Sequence, residues 1–355
     1  MNSKLQWLRN KMNSLNLQGM IVSNPISIKY LTNIEAEGIL LLTRKENIYI
    51  TDARYIEYVH STITIYDEIV VTQFKDITID EYENFFLFCE NVGFEENYVT
   101  YAKYKEYMYK FKINNLVETD NIIEKQRMIK DIDEIDNIRK ACEITDNCFK
   151  YLLDFIKPDM TEKQIAAEIE KYYNNNSDGI SFEPIVASGS NSSKPHAIPT
   201  DRKIQEQDII TIDMGCKYKG YCSDMTRTIF VGSVKEEHKK IYELVLKNQK
   251  QVAIEMKEGV NTKQLFKMVD CDFKLYGYDL VHGLGHGVGL EIHEIPTLNS
   301  KNEHILKSNM IVTNEPGIYL TNRFGVRIED TVLVTKDGIE TLTKSPKDYI
   351  VINQK

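Results

Sequence analysis

The chain has 355 residues, of which 42% are hydrophobic and 27% are charged, and its formal net charge is −9. These values are typical of a globular protein large enough for two domains. The negative charge argues against nucleic acid or an anionic membrane as the main partner, and no apolar run reaches the length of a membrane span. No secretory signal is visible and the six cysteines include no CxxC pair, so we expect a cytoplasmic protein with reduced thiols.

The first third of the chain alternates helical and strand patterns. These patterns predict an opening helix, a strand in "GMIVSN", a short helix in "ISIKYLTN" and a hairpin formed by "GILLLT" and "NIYIT". From residue 122, apolar residues at helical spacing predict one long amphipathic helix, and Thr161 is predicted to cap a second helix. We therefore divide the chain into an α/β domain, 1–121, and a second domain, 122–355.

Residues 281–294, "VHGLGHGVGLEIHE", contain three of the seven histidines among four glycines. Each glycine would cost about 1 kcal/mol inside a helix, so the segment is predicted to be extended or turning and to allow a close backbone approach. By itself the segment fits either a structural turn with incidental histidines or one edge of a catalytic pocket.

Two strand pairs of the second domain carry acidic residues. In "DIITIDMGCKYKGYCSDMTRTIFVG", a turn centred between Tyr218 and Lys219 would place Asp213 opposite Asp224. Like charges directly opposite are destabilising unless a cation lies between them or one is protonated. The alternative is a bulge that shifts the register and leaves two ordinary edge acids.

The second pair, "MIVTNEPGIYLTNRFGVRIEDTVLVT", is predicted to turn at Asn322 and to place Glu315 opposite Glu329. Two such units indicate an internal pseudo-repeat with four converging carboxylates, whose charge two divalent cations would cancel. With His286 as a nitrogen donor, the set favours Mn²⁺ or Co²⁺, and Zn²⁺ or iron would also fit.

These motifs resemble those of the proline-specific metallopeptidases, aminopeptidase P and prolidase. The resemblance rests on "HGLGHGVGLEIHE", "FEPIVASGSNSSKPHAIPT", "DMG…SDMTRT", "NEPGIY" and "RIEDT", which occur in the family's order. It implies a creatinase/prolidase-type α/β domain followed by a pita-bread domain with α+β architecture. One departure is Gln207, where the family usually has glycine before Asp208.

The resemblance also implies roles for individual residues. It implies a dinuclear metal site with two bridging residues, Asp224 and Glu329, and the ligands Asp213, Asp224, His286, Glu315 and Glu329. Glu315 would act as general base beside a hydroxide that bridges the metals. His196 and His293 would stabilise the tetrahedral intermediate, and His282 would close over the proline side. Arg327 would steady the bridging carboxylate or meet a substrate carboxylate, whereas His60, His238 and His304 are expected to be structural loop histidines.

The expected function is an Xaa-Pro aminopeptidase that acts on short peptides with proline in the second position. The sequence leaves open an Xaa-Pro dipeptidase and, more remotely, a scaffold or binding protein that uses the same fold. Methionine aminopeptidase fits less well because it lacks the long first domain. The family's amino-terminal domains commonly pair subunits, so we expect a homodimer.

Overall fold

The structure is a computed structural model, and it describes residues 3–63, 69–73 and 84–352. By their internal contacts the residues form two compact units, Met1–Arg127 and Met128–Lys355. Among the helices of the described ranges, none is both long and apolar enough to cross a membrane. All six cysteines are free, and Cys142, Cys148, Cys216 and Cys222 are buried.

The first unit contains a six-stranded mixed sheet, whose strands lie side by side in the order Ile69–Gln73, Asn47–Thr51, Gly38–Thr43, Gly19–Val22, Val92–Phe94 and Leu116–Glu118. The predicted opening helix, first strand, short second helix and hairpin are all confirmed. Apolar residues of the sheet and of the helix near residue 105 share one core, which includes Ile21, Phe94 and Phe111. In chain order the helices and strands are α1 Ser3–Ser14, β1 Gly19–Val22, α2 Pro25–Thr32, β2 Gly38–Thr43, β3 Asn47–Thr51, α3 Ile56–Thr62, β4 Ile69–Gln73, β5 Val92–Phe94, α4 Tyr101–Lys110, β6 Leu116–Glu118 and α5 Ile122–Arg127.

The second unit combines two pairs of helices with two main sheets. Its elements are α6 Ile132–Phe155, α7 Glu162–Asn176, β7 Ile185–Ser188, β8 Ile209–Met214, β9 Lys217–Tyr218, β10 Tyr221–Cys222, β11 Met225–Val231, α8 Glu236–Glu255, α9 Thr262–Leu275, β12 Gly285–Gly287, β13 Glu294–Leu298, β14 Ile311–Asn314, β15 Gly317–Leu320, β16 Phe324–Arg327, β17 Asp330–Val334, β18 Ile339–Thr341 and β19 Val351–Ile352.

The long helix predicted from residue 122 is wrong, because the chain forms two helices there, α5 and α6. Asp131 caps the second helix by accepting from Glu134 N, and the Glu134 side chain accepts from Asp131 N in return. This capping box starts a new helix in the middle of a continuous apolar pattern. The predicted Thr161 cap is confirmed, and it pairs in the same way with Gln164.

The predicted pseudo-repeat is visible in the second unit. The helices α6 and α7 pack on the sheet β19-β11-β8-β7, and α8 and α9 pack on the sheet β13-β12-β14-β17-β18. Equivalent turns precede the central strands of the two sheets. Gln207 N donates to Val231 O at 2.9 Å with φ 66° at Gln207, and Asn309 N donates to Val334 O at 3.0 Å with φ 68° at Asn309.

The predicted register of the first acidic hairpin is wrong by two residues. Tyr218 pairs with Tyr221, so the turn is centred on Lys219 and Gly220, which both have positive φ. Asp213 therefore faces Thr226 across the β8–β11 pair. A two-residue turn with two left-handed positions suits the twist of the hairpin strands, and Gly220 occupies the second of these positions.

The predicted register of the second acidic hairpin is confirmed. Gly317 pairs with Arg327 on one side, and Asn314 pairs with Asp330 on the other. Both pairs belong to the same register, which brings Glu315 opposite Glu329 between them. The turn is at Asn322, which has φ 59°.

Candidate active site

A cavity of about 550 Å³ opens between the two sheets of the second unit. All nine residues singled out from the sequence line it, and together they come from both halves of the pseudo-repeat. They are His196, Asp213, Asp224, His282, His286, His293, Glu315, Arg327 and Glu329.

The centre of the cavity holds a close cluster of potential metal donors. One donor atom from each of Asp224, His286 and Glu329 lies within 4.8 Å of the other two. His286 Nε2 is 3.5 Å from Asp224 Oδ2 and 3.5 Å from Glu315 Oε1. Thr226 Oγ1 donates to Glu329 Oε2 at 2.7 Å and fixes that carboxylate.

Asp213 lines the same cavity, and its two oxygens differ in their contacts. Arg327 Nη2 donates to Asp213 Oδ2 at 2.6 Å. The other oxygen, Oδ1, is buried and has no hydrogen-bond partner among the described residues. A buried carboxylate oxygen without a donor is costly, which fits a ligand atom whose cation is supplied from outside the chain.

The acidic groups of the cavity are hard to ionise together. Burial, followed by repulsion from Glu329 and Asp213, raises the pKa of Asp224 well above its ordinary value. Burial and the neighbouring Glu315 and Asp213 likewise raise the pKa of Glu329. Burial raises the pKa of Glu315 to about 8. A bound cation would reverse this penalty, because a nearby positive charge favours the ionised carboxylates.

The glycines beside His286 let the strand β12 lie close to its neighbours. A Cβ on Gly285 would come within 2.1 Å of Thr313 O, and one on Gly287 within 2.5 Å of Ile295 O. The extended conformation with close backbone approach is therefore confirmed. Burial lowers the pKa of His286 to about 4, so its imidazole is neutral and able to bind a metal.

Tyr319 contacts two of the predicted site residues, and the sequence interpretation did not single it out. Its Oη accepts from Arg327 Nη1 at 2.7 Å and lies 2.9 Å from His282 Nε2. Tyr319 thus links the predicted proline-side histidine to the arginine beside Asp213. The hairpin register contained the signal, because Tyr319 pairs with Gly325 and lies diagonal to Arg327.

The remaining histidines divide between the cavity and the scaffold. His196 and His293 are exposed side chains of the cavity wall. His238 does not lie in a loop as expected, because it is buried in α8 with its ring 4.4 Å from that of Phe324. His60 also lies in a helix, α3.

The donor set therefore fits divalent metal ions. It offers carboxylate oxygens and one neutral imidazole, and the cavity excludes most water from the carboxylates. Hard divalent cations prefer such oxygen-rich donors, and this composition differs from the thiolate-rich sets of structural zinc sites.

Comparison with known proteins agrees with this fold. Residues 136–336 match the model of metallopeptidase family M24, and residues 4–129 match the creatinase/prolidase N-terminal domain. The Xaa-Pro dipeptidase of Pyrococcus furiosus is 33% identical over 99% of this chain and 100% of its own length. A solved Xaa-Pro dipeptidase from Bacillus anthracis has a TM-score of 0.92 at 34% identity, covering 98% of this chain and 99% of its own. A solved X-Pro aminopeptidase from Thermotoga maritima has a TM-score of 0.87 at 30% identity. The match covers 97% of this chain and 100% of the aminopeptidase chain.

The chain belongs to metallopeptidase family M24 and has the creatinase-type N-terminal domain followed by the pita-bread domain. It is a hydrolase, and membership of this family implies divalent metal ions.

Proposed function

We propose that the protein hydrolyses the Xaa-Pro bond at the amino terminus of short peptides. The observation that carries the proposal is the cluster of Asp224, His286 and Glu329. Glu315 lies beside it, and an Asp213 oxygen of the same cavity has no hydrogen-bond partner among the residues that the structure describes. The similarity to Xaa-Pro dipeptidases and to an X-Pro aminopeptidase along almost the whole chain supports the substrate class.

Two divalent ions, for which we favour Mn²⁺ over Co²⁺ or Zn²⁺, would be held by the five predicted ligands. Asp224 and Glu329 would bridge the two ions, and His286 would bind through Nε2, because its Nδ1 lies 3.1 Å from Gly287 O. Bound ions of this kind lower the pKa of a water molecule and polarise the scissile carbonyl.

Glu315 would move the proton in this reaction. Its carboxylate lies at the centre of the cavity, 4.0 Å from His282 Nδ1 and 3.5 Å from His286 Nε2. From this position it would take a proton from the attacking water and deliver it to the departing proline nitrogen.

The outer side chains would orient the substrate. His196 and His293 would donate hydrogen bonds to the oxygen that becomes negative when the carbonyl is attacked. His282, held by Tyr319 Oη at 2.9 Å, would pack against the proline ring. Arg327 uses Nε, both hydrogens of Nη1 and one of Nη2 on protein acceptors, which leaves the second Nη2 hydrogen for a substrate carboxylate.

A second candidate function is an Xaa-Pro dipeptidase, which the similarity to the Pyrococcus furiosus and Bacillus anthracis proteins favours. Assaying Xaa-Pro and Xaa-Pro-Xaa peptides with Mn²⁺ distinguishes the two. An aminopeptidase cleaves both, whereas a dipeptidase cleaves the dipeptide alone. Cleavage of neither peptide by the metal-loaded protein would contradict the proposal in both forms.

For the first domain, 1–121, we propose a role in pairing subunits and in restricting the active-site entrance of the catalytic domain, 122–355, to short peptides. The two family matches support a division in this part of the chain. We also propose that the protein works in the cytoplasm without a nucleic-acid or membrane partner, which the free cysteines and the net charge of −9 support. Light scattering tests the homodimer, and a monomer at micromolar concentration with normal peptide cleavage would contradict it.

A further inference from the structure

Lys130 and Glu294 form a buried ion pair in the catalytic unit. Lys130 Nζ is 3.1 Å from Glu294 Oε2, and the two side chains are 2% and 5% exposed. Such a pair is costly to bury unless additional hydrogen bonds hold it in a defined geometry. The backbone at Lys130 is itself held in place, because its N donates to Asn309 O at 2.9 Å and the next residue, Asp131, caps α6.

Glu294 fixes the loop that precedes it, residues 288–293. Its Oε1 accepts from Glu291 N at 3.2 Å. A Cβ on Gly289 would come within 2.4 Å of the same oxygen, so the carboxylate lies directly against the loop backbone. The loop is held from its other side by Cys222 N, which donates to Gly289 O at 2.7 Å.

The same loop contacts the ring of His286. Gly287 O, just before the loop, lies 3.1 Å from His286 Nδ1, and the backbone of Ile292 also interacts with the ring. The ring of His293 lies 4.4 Å from that of His286, centroid to centroid. Because a hydrogen bond at one imidazole nitrogen determines the state of the other, these contacts leave Nε2 available toward Asp224.

We propose that Lys130 and Glu294 are positioning residues for His286. Their ion pair holds residues 288–293 in the conformation that orients the His286 ring, and it thereby sets the affinity of the site for divalent metal. The proposal rests on the proposed assignment of His286 as a metal ligand but does not depend on Xaa-Pro specificity.

The test is a titration of metal-free protein with Co²⁺ at a temperature well below the melting temperature. The visible absorption of the bound ion reports its binding. Removing a group that supports a metal ligand typically costs 10- to 100-fold in affinity, so Lys130→Met should bind Co²⁺ at least about 10-fold more weakly, with a changed absorption band. Lys130→Arg should restore most of the affinity. The matched control is Arg139→Met, which breaks an ion pair with Glu340 whose side chains are each 41% exposed, and it should bind as the unaltered protein does.

A folded Lys130→Met protein with unaltered Co²⁺ affinity and absorption would overturn the proposal, even if its melting temperature fell. If Lys130→Met does not fold, Glu294→Gln gives the same comparison, because it removes the ion pair and keeps an oxygen for Glu291 N. No peptide is present in the titration. A protein that binds Co²⁺ as expected but cleaves no Xaa-Pro peptide would therefore contradict the proposed function alone.

Discussion

Arg327 Nη2 donates to Asp213 Oδ2 over 2.6 Å, in a pair whose side chains are 5% and 13% exposed. The pair occupies one carboxylate oxygen and leaves Asp213 Oδ1 buried without a hydrogen-bond partner in the described part of the chain. The guanidinium therefore orients a single oxygen toward the cavity. The carboxylate that Arg327 contacts in this structure is that of Asp213, whereas the sequence interpretation offered either the bridging carboxylate or a substrate carboxylate.

Replacing Arg327 with lysine should weaken metal binding and catalysis. A lysine ammonium cannot reproduce the planar set of donors that reaches Asp213, Tyr319 and Pro195 O together. We expect kcat/KM to fall about 10- to 100-fold, with less metal bound per chain by elemental analysis. Arg323→Lys is the control, because Arg323 makes an exposed pair with Glu237 on the surface. Equal metal content and activity in Arg327→Lys would contradict this role.

Removing a carboxylate from the cluster should raise the stability of the metal-free protein and reduce the stabilisation that bound metal provides. Asp224→Asn relieves repulsion with Glu329 and Asp213, so the metal-free variant should melt at a higher temperature than the metal-free unaltered protein. Metal at 100 times its Kd should stabilise the unaltered protein by about 3 kcal/mol, and the variant by less. Calorimetry with and without chelator measures both effects.

Asp208→Asn is the control for that experiment. Asp208 is also buried, but Arg202 Nη1 donates to its carboxylate at 2.6 Å. Loss of the Asp208 carboxylate should therefore lower the melting temperature both with and without metal. If Asp224→Asn behaves in the same way as Asp208→Asn, the carboxylate cluster does not repel as we infer.

Gln207 is the position where the resemblance led us to expect glycine, and its backbone conformation fits that expectation. Its φ of 66° is left-handed, a conformation that costs a residue with a Cβ about 1–2 kcal/mol. Gln207→Gly should therefore raise the unfolding free energy of the second unit by about 0.5–1 kcal/mol, after the entropy cost of glycine. Asn309→Gly, at the equivalent turn, should raise the unfolding free energy by less, because asparagine tolerates the left-handed conformation better than glutamine does. Urea unfolding compares the two, and a destabilised Gln207→Gly would contradict the explanation.

Glu95 should make the first unit less stable as the pH rises. Burial raises its pKa to about 7 from an ordinary 4.5, although Ser23 N and Asn24 N each donate to it at 2.8 Å. The folded unit then binds the proton more tightly than the unfolded chain. The stability of the first unit should fall by about 3 kcal/mol between about pH 4.5 and 7.

Unfolding followed by the fluorescence of Trp7 tests this prediction, because Trp7 is the single tryptophan and lies in α1. Glu95→Gln should be nearly independent of pH across the same window and more stable than the unaltered unit at pH 8. Identical pH profiles for the two proteins would show that Glu95 does not titrate in this way.

The two acidic hairpins show what the sequence could predict. The second register follows from the position of Asn322, where a residue that tolerates the left-handed region sits midway between two β-patterned runs. The predicted register of the first hairpin was wrong because the polar run "KYKG" offers two possible turn centres. A shift of two residues leaves the same side chains on each face of the strands, so the pattern of apolar and polar residues does not distinguish the two registers. Both carboxylates still reached the cavity, because that shift leaves each of them on the same face of its strand.

The contacts around Lys130 could not be predicted from local patterns, whereas the contact of Tyr319 with Arg327 follows from the register of the second acidic hairpin. Lys130 lies in an apolar periodicity that continues from α5 into α6, and only the capping box of Asp131 and Glu134 marks the start of a new helix. Its partner Glu294 is distant in sequence, and the pairing depends on how the first helix of the catalytic unit packs on the glycine-rich loop. Hydrophobic periodicity predicts which face of a single helix or strand is buried. A pair such as Lys130 and Glu294 forms only when separate elements pack against one another.

The most direct test of the central claim is the ratio of kcat/KM for Ala-Pro to that for Ala-Ala, measured with Mn²⁺ on the same preparation. A rigid proline ring should fill a site that the methyl group of alanine leaves partly empty, and we expect Ala-Pro to be preferred by at least about 10-fold. Equal values for the two dipeptides would contradict the assignment of the protein as an Xaa-Pro peptidase.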